Sequence, residues 1–334
     1  MRLEGVTMAS PRYILRVSVE VHDQNPISGL ESEQLIPIGS LRVKVTQRGS
    51  HLILQAEDFD SEDDAKAFLP QIKVGLWSLA LQHNIAFSPS FARREIIRST
   101  DPEAAAYNFA NLCIPVEGQL QPLHGNTDEG GYTIFPSHEN IVFFSLGKST
   151  ARGGASWPAI ENTLREGMQR SRQMMTEFES NLPTVFDLYL SHFYENTIQA
   201  RFLTLIMALE VIAPVIDKHH TVMPLLAEFE TKLEATIQVT SDKDALSALK
   251  SLQEELRFRK GISISQRLRS LILNEESLNA SEREDLAKKI GDAYGLRSTM
   301  LHDGISDAQK LSEAMDTTLR AVKLILRARL GLST

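Results

Sequence analysis

The stretch Tyr294-Gly295-Leu296-Arg297-Ser298-Thr299-Met300-Leu301-His302-Asp303-Gly304 decides how the second half of this chain is read. In a helix running from Ser281, the apolar residues Leu286, Ile290, Ala293, Met300 and Leu301 are spaced to share one face. Arg297 falls on the same stripe, four residues after Ala293 and four before Leu301. A charge on a core-facing stripe needs a partner, because burying it alone is very costly. His302 stands at the helix end, and Gly304 suits the left-handed residue that closes a helix. Ser306 fits as the cap of a following helix, with Gln309 at the capping-box position.

The partner for Arg297 lies upstream, in Phe202-Leu203-Thr204-Leu205-Ile206-Met207-Ala208-Leu209-Glu210. Leu203, Ile206, Met207 and Glu210 share a helical face, so Glu210 is an acid at the edge of an apolar stripe and the natural counter-charge. An ion pair tying two helices together accounts for both residues; a functional pair is the other reading.

Working outward, everything from Trp157 onward reads as helix, near 157–180, 185–213, 221–237, 242–258, 264–275, 281–302 and 306–330. Residues 1–150 read instead as mixed α/β. Tyr13–Val21 has strand composition, and Leu41–Thr46 and His51–Ala56 flank the turn Gln47-Arg48-Gly49-Ser50 as a hairpin. Ser61 followed by Glu62-Asp63-Asp64 opens a helix running toward His83, with Pro70 a possible kink. Residues 101–140 are loop-rich. The expected fold class is α+β: a mixed α/β domain at 1–150, a linker at 151–156, and an all-helical domain at 157–334.

Composition narrows the function. The 334 residues are 42% hydrophobic and 23% charged, as in an ordinary globular protein of about two domains. The single cysteine, Cys113, excludes an internal disulfide and a multi-thiolate zinc site. Met1–Gly5 includes Glu4 and no long apolar core, so no signal peptide is expected. The run Phe202–Ile216 is too short to span a bilayer and contains Glu210. A cytoplasmic chain without a membrane partner is expected. The net charge of −8 argues against coating nucleic acid by charge alone. Residues 1–180 carry 16 basic and 22 acidic side chains, and residues 181–334 carry 19 and 21. A nucleic-acid site would therefore be a local patch in the second half, where Arg257, Arg259, Lys260, Arg267 and Arg269 cluster and Arg320, Lys323, Arg327 and Arg329 form a second group.

Three other features carry little chemistry. Gly147-Lys148-Ser149-Thr150 resembles the tail of a phosphate-binding loop, but Val142 stands where that loop needs glycine and Ala151-Arg152-Gly153-Gly154 follows where a helix should start. His219-His220 are adjacent and diverge by about 100° on a helix, which is not metal-ligand spacing. Cys113 has no nucleophile context and reads as a small hydrophobe. No metal and no cofactor are expected.

Arg297-Ser298-Thr299-Met300-Leu301-His302, the Ala208-Leu209-Glu210 ending of the upstream apolar helix, and the intervening Ile264-Ser265-Gln266-Arg267-Leu268-Arg269-Ser270-Leu271-Ile272 together resemble the HEPN superfamily, in particular its Apea-like branch, over residues 185–334. The family motif is an arginine, four to six residues, then a histidine. The resemblance implies a helical bundle that dimerises and brings two Arg/His motifs to one cleft. It also implies a metal-independent endoribonuclease of toxin, abortive-infection or phage-defence type. On that reading Arg297 grips phosphate, His302 moves protons, Glu210 holds Arg297, and Ser298 replaces the Asn, Asp or His frequent in active members. A serine hydroxyl can hydrogen-bond a phosphate but cannot act as an acid or base near neutral pH. RNA and a second copy are the implied partners, with an antitoxin or phage-derived trigger at residues 1–150. The apolar stripe Leu311, Met315, Leu319, Val322, Leu326 and Leu330 is expected to pack the bundle, with flanking surface meeting the second chain. Alternatives are a non-catalytic module binding nucleotide, RNA or a partner protein, and a purely structural dimer.

Overall fold

The computed structural model describes residues 12–22, 30, 32–88, 91–98, 124–127, 130–139, 141–144, 157–174, 181–304 and 307–332. Gly147–Thr150, Cys113, the 151–156 linker and Ser306 lie outside them. The chain divides into two compact units, Met1–Glu195 with Leu326–Thr334, and Asn196–Ile325.

The first unit is built on β1 (Tyr13–Glu20), β2 (Gln34–Ile38), β3 (Leu41–Arg48), β4 (His51–Phe59), β5 (Ile97–Arg98), β6 (His124–Thr127), β7 (Gly131–Pro136) and β8 (Ile141–Phe144). Five of these form an antiparallel sheet in the order β2-β3-β4-β1-β7, and β5-β6-β8 form a smaller one. The expected hairpin is β3–β4, turned at Gly49 with φ 57°. Alternation sends Leu15, Val17, Val19, Leu52, Leu54 and Ala56 to one face, where all are fully buried. Against that face lies α1 (Glu62–His83). The Ser61 hydroxyl accepts from the Asp64 N–H at 3.0 Å and starts α1, and Asn84 in left-handed conformation ends it.

The far side of α1 is apolar too, and α2 (Trp157–Met174) covers it. The two backbones meet at Gly75 and Gly167, where a Cβ on Gly167 would sit 2.8 Å from the Gly75 Cα. Phe186 of α3 (Leu182–Ser191) stacks on Trp77 with ring centroids 4.3 Å apart. Helices expected to belong with the helical half thus belong with the sheet. A helix apolar all round must be covered on both sides.

The second unit contains α4 (Ile198–Ile212), α5 (Met223–Val239), α6 (Lys243–Phe258), α7 (Ile264–Leu273), α8 (Ala280–Asp303) and most of α9 (Ala308–Arg329). The single helix expected over 185–213 is two, because Thr197 caps α4 by accepting from the Ala200 N–H at 3.2 Å. The helix expected from Ser281 starts one residue earlier, at Ala280, capped by Asn279 with Glu282 completing a capping box. The Asp307 carboxylate accepts from the N–H groups of Gln309 and Lys310 at the start of α9. Phe202 and Ile206 of α4, Ala293 of α8, and Leu311 and Ala314 of α9 form one buried cluster, with Tyr294, Leu296, Met300 and Met315 packed around it. Leu311, Val322, Leu326 and Leu330 are buried and Met315 and Leu319 half-buried, so the α9 stripe is largely covered by the chain itself. Among the described residues no helix is long and apolar enough to cross a membrane.

Candidate functional site

Two helices present the candidate residues. On α8 the buried positions run Leu286, Ile290, Ala293, with Met300 half-buried, in steps that keep one face inward. Leu301, expected on this face, is 51% exposed. It follows Met300 by one residue, about 100° round the helix. On α4 the inward positions are Phe202, Ile206 and Leu209, and Met207 is 47% exposed for the same reason. Arg297 stands one turn beyond Ala293, and Glu210 one turn beyond Ile206. The shared cluster of α4, α8 and α9 therefore brings them together.

The pair is loose. Arg297 Nε lies 3.8 Å from Glu210 Oε1, within ion-pair range and too far for a hydrogen bond. Their side chains are 28% and 22% exposed. The Glu210 Oε1 is itself buried and accepts no hydrogen bond from any described residue. The Arg297 guanidinium carbon sits 5.6 Å from the centroid of the Tyr294 ring, a cation–π approach. Burial pushes the Tyr294 hydroxyl above the ordinary tyrosine range; the Glu210 carboxylate repels its anion and adds to the rise, while Arg297 opposes it. Tyr294 lies within the quoted stretch, three residues before Arg297, and that helical spacing was the available signal for its part here.

His302 is exposed on the last turn of α8, which Gly304 closes with φ 69°. It stands five positions after Arg297, about 140° round the helix and roughly 7.5 Å along it. The two side chains leave α8 in divergent directions. Ser298 is half-buried beside Arg297. Among the described residues, no group of three or more His, Cys, Asp or Glu side chains could hold a metal ion. The His219 and His220 rings lie 4.0 Å apart, and His219 Nδ1 is 2.9 Å from the Thr221 hydroxyl.

The first basic cluster is partly engaged within the chain. Arg257 pairs with Glu254 at 2.8 Å and Lys260 with Glu230 at 2.9 Å. Arg267 donates from Nε to the Pro214 carbonyl and from Nη2 to the Ala213 carbonyl, both at 2.7 Å, closing the C-terminal end of α4. Arg259 and Arg269 are exposed, the stem of Arg269 lying over Gly291. In the second group Arg320 is exposed, and Lys323, Arg327 and Arg329 are half-buried.

Comparison with protein families, with curated proteins and with solved structures finds no match to this chain.

Proposed function

We propose that the helical unit is a HEPN-like endoribonuclease that needs no metal and works as a dimer. The observation that carries this reading is the state of Arg297. It is held beside a carboxylate and over an aromatic ring, yet it makes no hydrogen bond to any described residue. A guanidinium so placed keeps its N–H fork for a phosphate.

RNA supplies its own nucleophile. The 2′-hydroxyl attacks the adjacent phosphorus while His302 or its copy takes the proton, since imidazole titrates near neutral pH. The P–O5′ bond breaks, and the imidazolium so formed returns that proton to the departing 5′-oxygen. Arg297 stabilises the charge that develops on the phosphorane. Glu210 and Tyr294 position Arg297, and the Ser298 hydroxyl can donate to a phosphate oxygen. Because Arg297 and His302 diverge on α8, a site using both draws them from two chains.

Purified protein incubated with total RNA in EDTA, beside Arg297→Ala and His302→Ala controls, tests the reading. Cleavage in the wild type alone, leaving 2′,3′-cyclic phosphate and 5′-hydroxyl ends, is the expected outcome. Products with 5′-phosphate and free 3′-hydroxyl, or loss of all activity in EDTA, point to a metal-activated water and sink it. The divergence of Arg297 and His302 also fits a module that grips a phosphate without cleaving. Saturable RNA binding by a wild type that cuts none of many RNAs favours that second reading.

A further inference from the structure

The five-stranded sheet has two unlike faces. Strand register places Lys44, Gln55, Arg16 and Thr133 in one row across β3, β4, β1 and β7, on the face turned away from α1. A solvated face would leave such a row exposed, and an apolar cover would call for apolar residues. Neither holds here. Arg16 is 7% exposed and Thr133 4%, in the middle of the sheet. Over this face lies β8, whose Phe143 ring centroid is 4.1 Å from the Arg16 guanidinium and whose Phe143 carbonyl accepts from Arg48 Nη1 at 3.3 Å. Arg16 Nη1 also donates to Gln55 Oε1 at 3.0 Å. Between sheet and β8 is a cavity of about 320 Å³.

The lining carries the cations Arg16, Lys44 and Arg48 with the acids Glu33 and Glu139, and Lys44 is held by Glu57 at 2.7 Å, so the guanidinium groups are its anion-matching feature. Phe135 and Phe143 add two aromatic faces 5.6 Å apart. Guanidinium groups match phosphate oxygens in fork geometry, aromatic rings accept a flat ring system, and carboxylates accept from hydroxyl or amino groups. The volume falls at the small end of ligand pockets.

We propose that this cavity binds a small organic phosphate of nucleoside-monophosphate size. The phosphate sits toward Arg16 and Arg48, the base against Phe135 and Phe143, and the sugar hydroxyls toward Glu139. The cavity belongs to the first unit and Arg297 to the second, and the proposal does not rest on the ribonuclease reading.

Titration calorimetry of the full-length protein with AMP, UMP, ribose 5-phosphate, inorganic phosphate and uridine tests it. A monophosphate is expected to bind saturably with Kd below about 1 mM, inorganic phosphate more weakly, and uridine not at all. Arg48→Gln and Lys44→Gln, at the cavity rim, should each weaken the monophosphate at least about tenfold while the circular dichroism stays that of the wild type. Arg297→Ala should bind as the wild type does. The proposal is overturned if no monophosphate binds, if uridine binds as well as UMP, if both rim variants keep wild-type affinity, or if Arg297→Ala alone abolishes binding.

Discussion

His302 is exposed at the end of its helix, so its removal opens no void. His302→Ala is expected to shift stability by no more than about 0.5 kcal/mol and to lower RNA cleavage at least about 100-fold. Arg297→Ala should remove cleavage as well, but at a structural cost. A fully buried pair would lose roughly 3–5 kcal/mol on truncation. This one is partly exposed and 3.8 Å apart, so a loss of about 1–2 kcal/mol is expected. Glu210→Gln keeps an acceptor near Arg297 and should reduce cleavage only partially, with little change in melting. Thermal melts read beside turnover of a labelled RNA separate the three; a His302→Ala protein that melts far below the wild type would make His302 structural. The pairing of Arg297 with Glu210 was legible in the sequence because each charge interrupts an apolar helical stripe. The looseness of the pair was not, because distance and hydrogen bonding depend on how α4 and α8 cross. The same holds for Arg267. Its charge suggested a phosphate contact, and only the folded chain puts its guanidinium on the two carbonyls at the end of α4.

Elements whose signals are local were readable: the Ser61 cap of α1, the β3–β4 turn at Gly49 and the Gly304 stop of α8. The sheet order was not. Tyr13 of β1 faces Pro136 of β7, and no local propensity reports a partner so remote. Nor did the sequence reveal that α2 closes on α1 through Gly75 and Gly167. Gly167→Ala would put a Cβ 2.6 Å from the Ser78 Oγ and 2.8 Å from backbone, so the helices must part. A loss of about 1–3 kcal/mol is expected from such overpacking, read as a lower urea midpoint. Farther along the same contact, His83 Nε2 is 2.9 Å from Thr163 Oγ1, whose proton goes to Gln82 Oε1. His83 Nε2–H is therefore the donor. Burial holds the His83 pKa below the ordinary histidine value, a backbone hydrogen bond to Ala159 opposing it. Neutral His83 thus stabilises the fold above the unfolded pKa near 6.5, and that contribution is lost as pH falls through the lower folded value. His83→Gln cannot titrate, so its stability should fall less than that of the wild type over the acid range. Parallel urea melts from neutral to acid pH check this, and identical slopes would remove His83 as the cause.

At the scale of the whole molecule, a chain of net charge −8 can hold RNA only through a few local contacts. Arg257, Lys260 and Arg267 are already engaged within the chain, so RNA affinity should fall only shallowly with salt, with a log–log slope of about −2 for two or three phosphates on a single strand. If the helical unit is the proposed ribonuclease, its site combines groups already present, and the geometry of α8 sets how they can meet. Arg297 and His302 diverge by about 140° on one helix, so a site containing both takes Arg297 from one protomer and His302 from its partner. Light scattering should give a dimer at micromolar concentration, and mixing two inactive variants tests the division of labour. In a dimer of Arg297→Ala with His302→Ala, one of the two sites lacks both groups and the other keeps both. Neither homodimer cleaves, but the mixture should recover about a quarter of wild-type turnover, because half of randomly paired dimers are mixed and each has one intact site of two. If both groups came from the same chain, every site in the mixture would lack one of them and no activity would return. Recovery that falls on dilution below the dimer dissociation constant would tie the cleavage to the assembled pair.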